Sequence, residues 1–128
     1  MNYLESLKTL LESNQLFSFK SLDEETINEM LDSRDSEDFE NDWLRVFREI
    51  ELREKLKSLN SNDLAELNSI REIAYKTTFS ATQHSEIASY VADDFELIGK
   101  SLFLDFSDEW LNSLFLCYLQ GIFPHSKL

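Results

Sequence analysis

The chain has 128 residues, of which 42% are hydrophobic and 12% aromatic, and it carries a formal net charge of -13. This length and apolar content predict one folded domain, residues 1–128, and exclude a disordered acidic tail. The negative charge excludes direct binding to nucleic acid, because phosphates would be repelled. A single cysteine, the lack of a long apolar run and the lack of a signal-peptide pattern predict a cytoplasmic protein that neither spans nor binds a membrane.

Helix-forming residues dominate the composition, with two glycines and one proline in the whole chain. This predicts an all-α fold, a compact single-domain bundle of about six helices. Leucines spaced three and four residues apart predict a first helix that ends near Ser13. Ser21 and Glu24 have the spacing of a capping box, which predicts a second helix that stops around Ser33.

The middle of the chain predicts two longer helices. Ser36 can cap a helix that continues to Leu59, with an acidic first turn that suits the positive end of the helix dipole. After a polar break, Asp63 is predicted to cap the next helix, which runs towards Phe79.

The last two predicted helices lie in the C-terminal part. One starts near Gln83, and the sequence leaves open whether Asp93 and Asp94 interrupt it. The other starts after Ser107, with Asp108 and Glu109 in its first turn, and carries an apolar stripe as far as Gly121, which has the character of a helix stop.

Charge is concentrated in two stretches. Ten acidic residues lie between positions 21 and 42, where Arg34 is the only base, and six lie between positions 91 and 112, where Lys100 is the only base. Concentrated negative charge favours a cationic partner. The first stretch is equally compatible with a solvated loop and helix start that bind nothing.

Catalytic and metal-binding patterns do not emerge from the sequence. His84 and His125 belong to no Glu-x-x-His pair, and Cys117 lies in an apolar run where it is expected to pack as a small hydrophobe. Two widely separated glycines, Gly99 and Gly121, cannot form a phosphate-binding loop. We therefore expect no enzyme activity, no catalytic residue, no metal and no cofactor.

The C-terminal third carries a resemblance. Its residues are Ser89-Tyr90-Val91-Ala92-Asp93-Asp94-Phe95-Glu96-Leu97-Ile98, then Asp108-Glu109-Trp110-Leu111-Asn112-Ser113-Leu114, then Tyr118, Gly121 and Phe123-Pro124. This segment resembles small bacterial immunity proteins of the contact-dependent growth inhibition type. The resemblance implies a cytosolic, stoichiometric inhibitor that binds the toxic C-terminal nuclease domain of a cognate effector and blocks its active site.

On this hypothesis the resembling residues mainly hold the fold, and toxin contact falls on exposed acids. The candidate partner-binding residues are Asp35, Glu37, Asp38, Asp42, Asp93, Asp94 and Asp105. Against a basic nuclease surface these carboxylates would speed encounter and occupy phosphate-binding positions. The toxin's identity and the oligomeric state stay open.

Two other functions remain as alternatives. One is an acidic adaptor that mimics nucleic acid or regulates a nucleic-acid binder, which predicts broad competition with DNA. The other is a helical enzyme that uses buried carboxylates, although no His–carboxylate spacing supports it.

Overall fold

A computed structural model describes residues 7–9, 11 and 23–125 of the chain. Its helices are α1 (Glu24–Arg34), α2 (Glu37–Leu56), α3 (Ser61–Thr82), α4 (Ser85–Phe103) and α5 (Glu109–Leu119). Residues 7–9 and 11 are also helical and belong to a further helix near the N-terminus. Within these described residues the protein has six helices and no strand, which confirms the predicted all-α fold of about six helices.

The first cap of the described chain differs from the predicted one. Asp23 caps α1, and its carboxylate accepts a hydrogen bond from the Thr26 amide at 2.7 Å. Glu24 is therefore the first helical residue, so the predicted capping box between Ser21 and Glu24 is wrong; Ser21 itself lies outside the described residues. The helix extends to Arg34, close to the predicted end.

Helix α2 begins directly after Ser36, as predicted, although the Ser36 side chain makes no capping hydrogen bond. It ends at Leu56 rather than at the predicted Leu59. The acidic first turn therefore stands at the positive end of a helix of 20 residues, where it is favourable.

The cap of α3 lies three residues earlier than predicted. Asn60 accepts from the Asp63 amide at 2.8 Å, while the Asp63 carboxylate accepts from the Asn60 amide at 3.2 Å. This reciprocal pair is a capping box in which Asp63 is the third helical residue and not the cap. The helix passes the predicted end at Phe79 and continues to Thr82.

Helix α4 is continuous through Asp93 and Asp94, which answers the question that the sequence left open. It begins at Ser85, two residues after the predicted start at Gln83, and His84 occupies the cap position. Ten of its 19 residues are buried, so α4 is the central helix around which the others pack. Its most extensive neighbour is α3.

The C-terminal end of α5 agrees with the sequence signal, but its cap is Asp108, which was predicted in the first turn after Ser107. The Asp108 carboxylate accepts a hydrogen bond from the Leu111 amide at 3.0 Å and so caps the helix. Gly121 adopts a φ of 72°, a left-handed conformation that favours glycine. Its amide donates to the Tyr118 carbonyl at 3.0 Å, and the Ile122 amide donates to the Cys117 carbonyl at 2.9 Å, which together form a Schellman motif.

The core combines apolar side chains from all these helices with residues before and after them. Leu7 and Leu11 are buried in it, as their leucine spacing predicted, whereas the predicted end of the first helix near Ser13 lies outside the described residues. Phe123, beyond α5, is also buried, so the chain after the last helix folds back onto the core. Nowhere in the described chain is a helix both long and apolar enough to cross a membrane.

Candidate partner-binding site

A buried ion pair joins α1 to α4 at the base of the acidic region. Arg34, the last residue of α1, is only 5% exposed, and Asp94 on α4 is fully buried. The Arg34 guanidinium donates a hydrogen bond to the Asp94 carboxylate. Each residue therefore supplies the opposite charge that the other needs in a buried site.

Two further donors complete the environment of Asp94. The Trp43 indole Nε1 of α2 donates to Asp94 Oδ1 at 3.0 Å, and the Tyr118 hydroxyl of α5 donates to Asp94 Oδ2. Burial raises the pKa of Tyr118 well above 10.0, and the charge of Asp94 adds to this effect. Tyr118 consequently remains a protonated donor, and one carboxylate ties α1, α2, α4 and α5 together.

Aromatic rings surround the other side of the Arg34 guanidinium. Its centre lies 4.4 Å from the ring centroid of Phe39, 4.9 Å from that of Tyr90 and 5.3 Å from that of Phe123, which are distances of cation–π contacts. The guanidinium also donates to the Pro124 carbonyl at 3.1 Å. Burial is the largest single effect on the pKa of Arg34 and lowers it, but the charges and hydrogen bonds of Asp94 and Tyr118 together outweigh burial and raise that pKa.

The surface above this pair carries a group of exposed carboxylates that we call the acidic corner. It surrounds the turn between α1 and α2 and consists of Asp32, Asp35, Glu37, Asp38 and Glu40. Every ion pair in the described part of the chain uses carboxylates outside this corner. Arg34, the single base of the segment, is directed inward to Asp94 and does not neutralise the corner.

A small groove, the aromatic groove, opens between the acidic corner and α4. Its volume is about 260 Å³, and its lining residues are Arg34, Asp35, Phe39, Glu40, Trp43, Leu44, Tyr90 and Asp93. The Tyr90 hydroxyl donates to Asp35 Oδ1 at 2.9 Å across the groove, so the corner and α4 are in direct contact. On the α4 side, Asp93 pairs with Arg71 at 2.7 Å.

A comparison with known protein families shows the family to which this acidic helical protein belongs. The family model of Immunity protein PIM1 matches residues 6–125. The chain belongs to this family. The match extends well beyond the C-terminal third to which the sequence resemblance was confined, and it supports an immunity protein without specifying contact-dependent growth inhibition. No curated protein matches the chain.

Membership of an immunity protein family indicates that the protein binds and neutralises a toxin, and it favours a binding protein over an enzyme. The described residues contain no group of three or more His, Cys, Asp or Glu that could hold a metal ion. Burial raises the pKa of the half-buried Cys117 thiol, which makes it a poorer nucleophile. What the acidic corner of this immunity protein offers is negative charge and hydrogen-bond acceptors.

The structure brings several predicted partner-binding residues of the immunity protein together. Asp35 and Asp93 line the aromatic groove from opposite sides. Glu37 and Asp38 are exposed in the first turn of α2, next to that groove. Asp42 is half-buried and lies 3.6 Å from Arg45, so its charge is partly neutralised.

Two predicted residues, Asp94 and Asp105, do not belong to the exposed surface around the aromatic groove. The expectation that Asp94 is an exposed acid is wrong, because it is fully buried beneath the corner and accepts three side-chain hydrogen bonds. Asp105 is exposed but lies beyond the C-terminal end of α4. At 1.5 Å per residue, it is roughly 15 Å from Asp94 along the helix axis. It has a φ of 53° and lines a different groove of about 580 Å³ between α4 and α5.

Sequence reasoning missed four residues that build the site, namely Arg34, Glu40, Trp43 and Tyr90. The signal for the buried pair was present, because Arg34 follows the buried Ile27 by seven residues and therefore continues the apolar stripe of α1. A charged residue on an apolar stripe indicates a buried partner of opposite charge.

Proposed function

We propose that this immunity protein neutralises the nuclease domain of a cognate toxin by covering its basic active-site surface with the acidic corner. The observation that carries the proposal is the charge of that corner. Glu37, Asp38 and Glu40 are exposed and form no ion pair with any described residue, so their charge is free for a partner. The proposal includes a toxin of the contact-dependent growth inhibition type and an inhibitor that acts in the cytoplasm.

Nuclease chemistry explains why such a surface would inhibit. An enzyme that holds a phosphodiester backbone presents lysine and arginine side chains to the phosphates. Carboxylates that occupy those positions exclude the substrate. Complementary charge also speeds encounter, with association rate constants up to about 10⁸–10⁹ per molar per second at low salt.

The rigid base of the corner supports tight binding. Because the buried Arg34–Asp94 pair and the contact between Tyr90 and Asp35 fix the α1–α2 turn on α4, little ordering is needed when the partner arrives. A preorganised surface loses less conformational entropy on association, which favours affinity.

The test is coexpression with the C-terminal domain of any large secreted effector encoded beside this gene, followed by purification of the complex and measurement of association rates. Wild type should rescue growth and form a one-to-one complex. Asp32→Lys combined with Asp38→Lys should lower the association rate at low salt about tenfold or more. The control combines Glu51→Lys with Glu109→Lys, two exposed acids outside the corner, and changes the net charge equally.

Equal losses in the two double variants would contradict a role for the acidic corner. A protein that fails to rescue growth, binds many basic proteins and is displaced by DNA would instead support the nucleic-acid-mimicking adaptor.

A further inference from the structure

The aromatic groove has the size of a pocket for one side chain. Its volume of about 260 Å³ lies below the roughly 300–1,000 Å³ of typical small-molecule pockets. It opens beside the acidic corner, where the proposed toxin surface would lie. An occupant would therefore arrive as part of the partner protein, and its chemistry can be inferred from the lining.

Negative charge dominates the rim of the groove. Asp35, Glu40 and Asp93 contribute carboxylates, whereas the one cation of the lining, Arg34, is neutralised by Asp94. Asp93 already pairs with Arg71, but Glu40 forms no ion pair with a described residue. Asp35 Oδ1 accepts a hydrogen bond from the Tyr90 hydroxyl, and no described residue donates a hydrogen bond to Asp35 Oδ2. The rim thus offers free acceptors to an incoming cation.

Aromatic walls narrow the choice of cation. Trp43 and Tyr90 are both half-buried and line the groove, so each contributes part of a ring surface. A planar guanidinium stacks on such rings and donates to two carboxylates at once, which an ammonium group cannot do with the same geometry. The protein already holds one guanidinium, that of Arg34, 4.9 Å from the Tyr90 ring centroid.

We propose that the aromatic groove receives one arginine side chain of the toxin, which stacks between the aromatic walls and donates to Asp35 and Glu40. This inference rests on the proposed function, and it adds a specific anchor to the general attraction of the acidic corner. Arginine is among the residues that most often carry the binding energy of an interface, and a partly enclosed pocket strengthens its contacts.

Two variants with the same change of net charge distinguish the proposed arginine contact in the groove from the general electrostatic attraction of the acidic corner. Glu40→Gln removes a carboxylate that lines the groove, and Glu37→Gln removes another exposed carboxylate on the same helix turn that does not line it. Glu40→Gln should raise the dissociation rate of the toxin complex about tenfold or more, while Glu37→Gln should mainly lower the association rate by less than threefold. If Glu40→Gln and Glu37→Gln change the association and dissociation rate constants equally, the proposed arginine anchor is overturned.

A direct probe needs no toxin. Blocked tripeptides Gly-Arg-Gly, Gly-Lys-Gly and Gly-citrulline-Gly are titrated into the intact protein, and the indole N–H signal of Trp43 is followed by NMR. The buried Trp110 serves as the internal reference. The Trp43 signal should shift saturably with the arginine peptide, less with lysine and not with citrulline, and Glu40→Gln should abolish the shift.

The two experiments distinguish failure of the inference from failure of the proposed function. A tight toxin complex with no Trp43 shift and with equal losses for Glu40→Gln and Glu37→Gln overturns the anchor and leaves the proposed function intact. A saturable, arginine-selective Trp43 shift in a protein that neither binds the toxin domain nor rescues growth supports the groove as an arginine site and contradicts the proposed function.

Discussion

Arg34 and Asp94 lie 60 residues apart in the chain and meet as a buried ion pair between the end of α1 and the middle of α4. Asp94 also accepts hydrogen bonds from Trp43 and Tyr118, so the pair connects four helices. The acidic corner is built directly on this connection. Stability and the proposed toxin recognition therefore depend on neighbouring residues, and different substitutions should affect each of them separately.

Loss of the guanidinium should strongly destabilise the protein. Arg34→Met leaves Asp94 buried without its counter-charge, and the free energy of unfolding should fall by about 3–5 kcal/mol. Denaturant unfolding followed by circular dichroism measures the change. Arg48→Met is the matched control, because Arg48 is exposed and makes no ion pair with a described residue. A loss of less than 1 kcal/mol in Arg34→Met would mean that the pair is not a structural centre.

Tyr118 should link stability to alkaline pH. Its pKa in the folded protein is raised well above 10.0, by burial first and by Asp94 second. The stabilisation that depends on the protonated hydroxyl is therefore complete below pH 10 and decreases as the pH rises above it.

Tyr118→Phe removes the hydroxyl and leaves Asp94 with one donor fewer, so it should cost about 1–3 kcal/mol at neutral pH. It should also reduce the loss of stability between pH 10 and pH 11.5, measured by urea unfolding at each pH. The half-exposed Tyr90 offers the control Tyr90→Phe, for which we expect a smaller loss. If the free energy of unfolding of Tyr118→Phe falls between pH 10 and pH 11.5 as much as that of wild type, the role of Tyr118 is contradicted.

Asp108 should link stability to acidic pH. The Arg45 side chain hydrogen-bonds its carboxylate and lowers the pKa below 3.8, against the effect of burial, and the Leu111 amide lowers it further. The sign is opposite to that of Tyr118, because the stabilisation is present above pH 4 and is lost as the pH falls through the lowered pKa.

Asp108→Ala should lower the free energy of unfolding by about 0.5–2 kcal/mol at pH 7, mainly through loss of the α5 cap. The ion pair with the half-exposed Arg45 adds little. The difference from wild type should shrink below pH 4. Glu109→Ala changes the adjacent exposed acid and serves as the control; if it costs as much as Asp108→Ala, the cap is not the cause.

One residue of the acidic corner should show opposite effects on stability and on binding. Asp32 is an exposed acid in the last turn of α1, where the negative end of the helix dipole disfavours it. Asp32→Lys should raise the melting temperature by about 1–4 °C and slow association with the toxin. Calorimetry and stopped-flow association measure the two effects. A variant that is both less stable and equally fast would refute the trade-off.

Helix content and most of the helix positions were predictable because they depend on local signals. Gly121 marks the C-terminal end of α5 with backbone chemistry that the sequence states directly, and the start of this helix was predicted to within one residue. The caps of α1, α3 and α5 were misplaced, because several polar residues in a row can each serve as a cap. Asp63 was identified correctly as a capping residue but in the wrong position of the box.

The candidate site was predictable only in part, for a physical reason. Exposure of Glu37 and Asp38 follows from their place in a polar first turn, whereas the burial of Asp94 depends on Arg34, which reaches it from another helix. The spacing of residues within one helix cannot give the position of that second helix. The aromatic groove arises in the same way, from the packing of α1 and α2 on α4.

Hydrogen exchange of backbone amides in the toxin complex tests the central claim most directly, because it locates the interface without any substitution. If the acidic corner binds the toxin, protection on complex formation should concentrate in residues 33–45 and 88–94, around the aromatic groove. Protection centred instead on α5 and residues 104–107, with residues 33–45 exchanging as in the free protein, would contradict it.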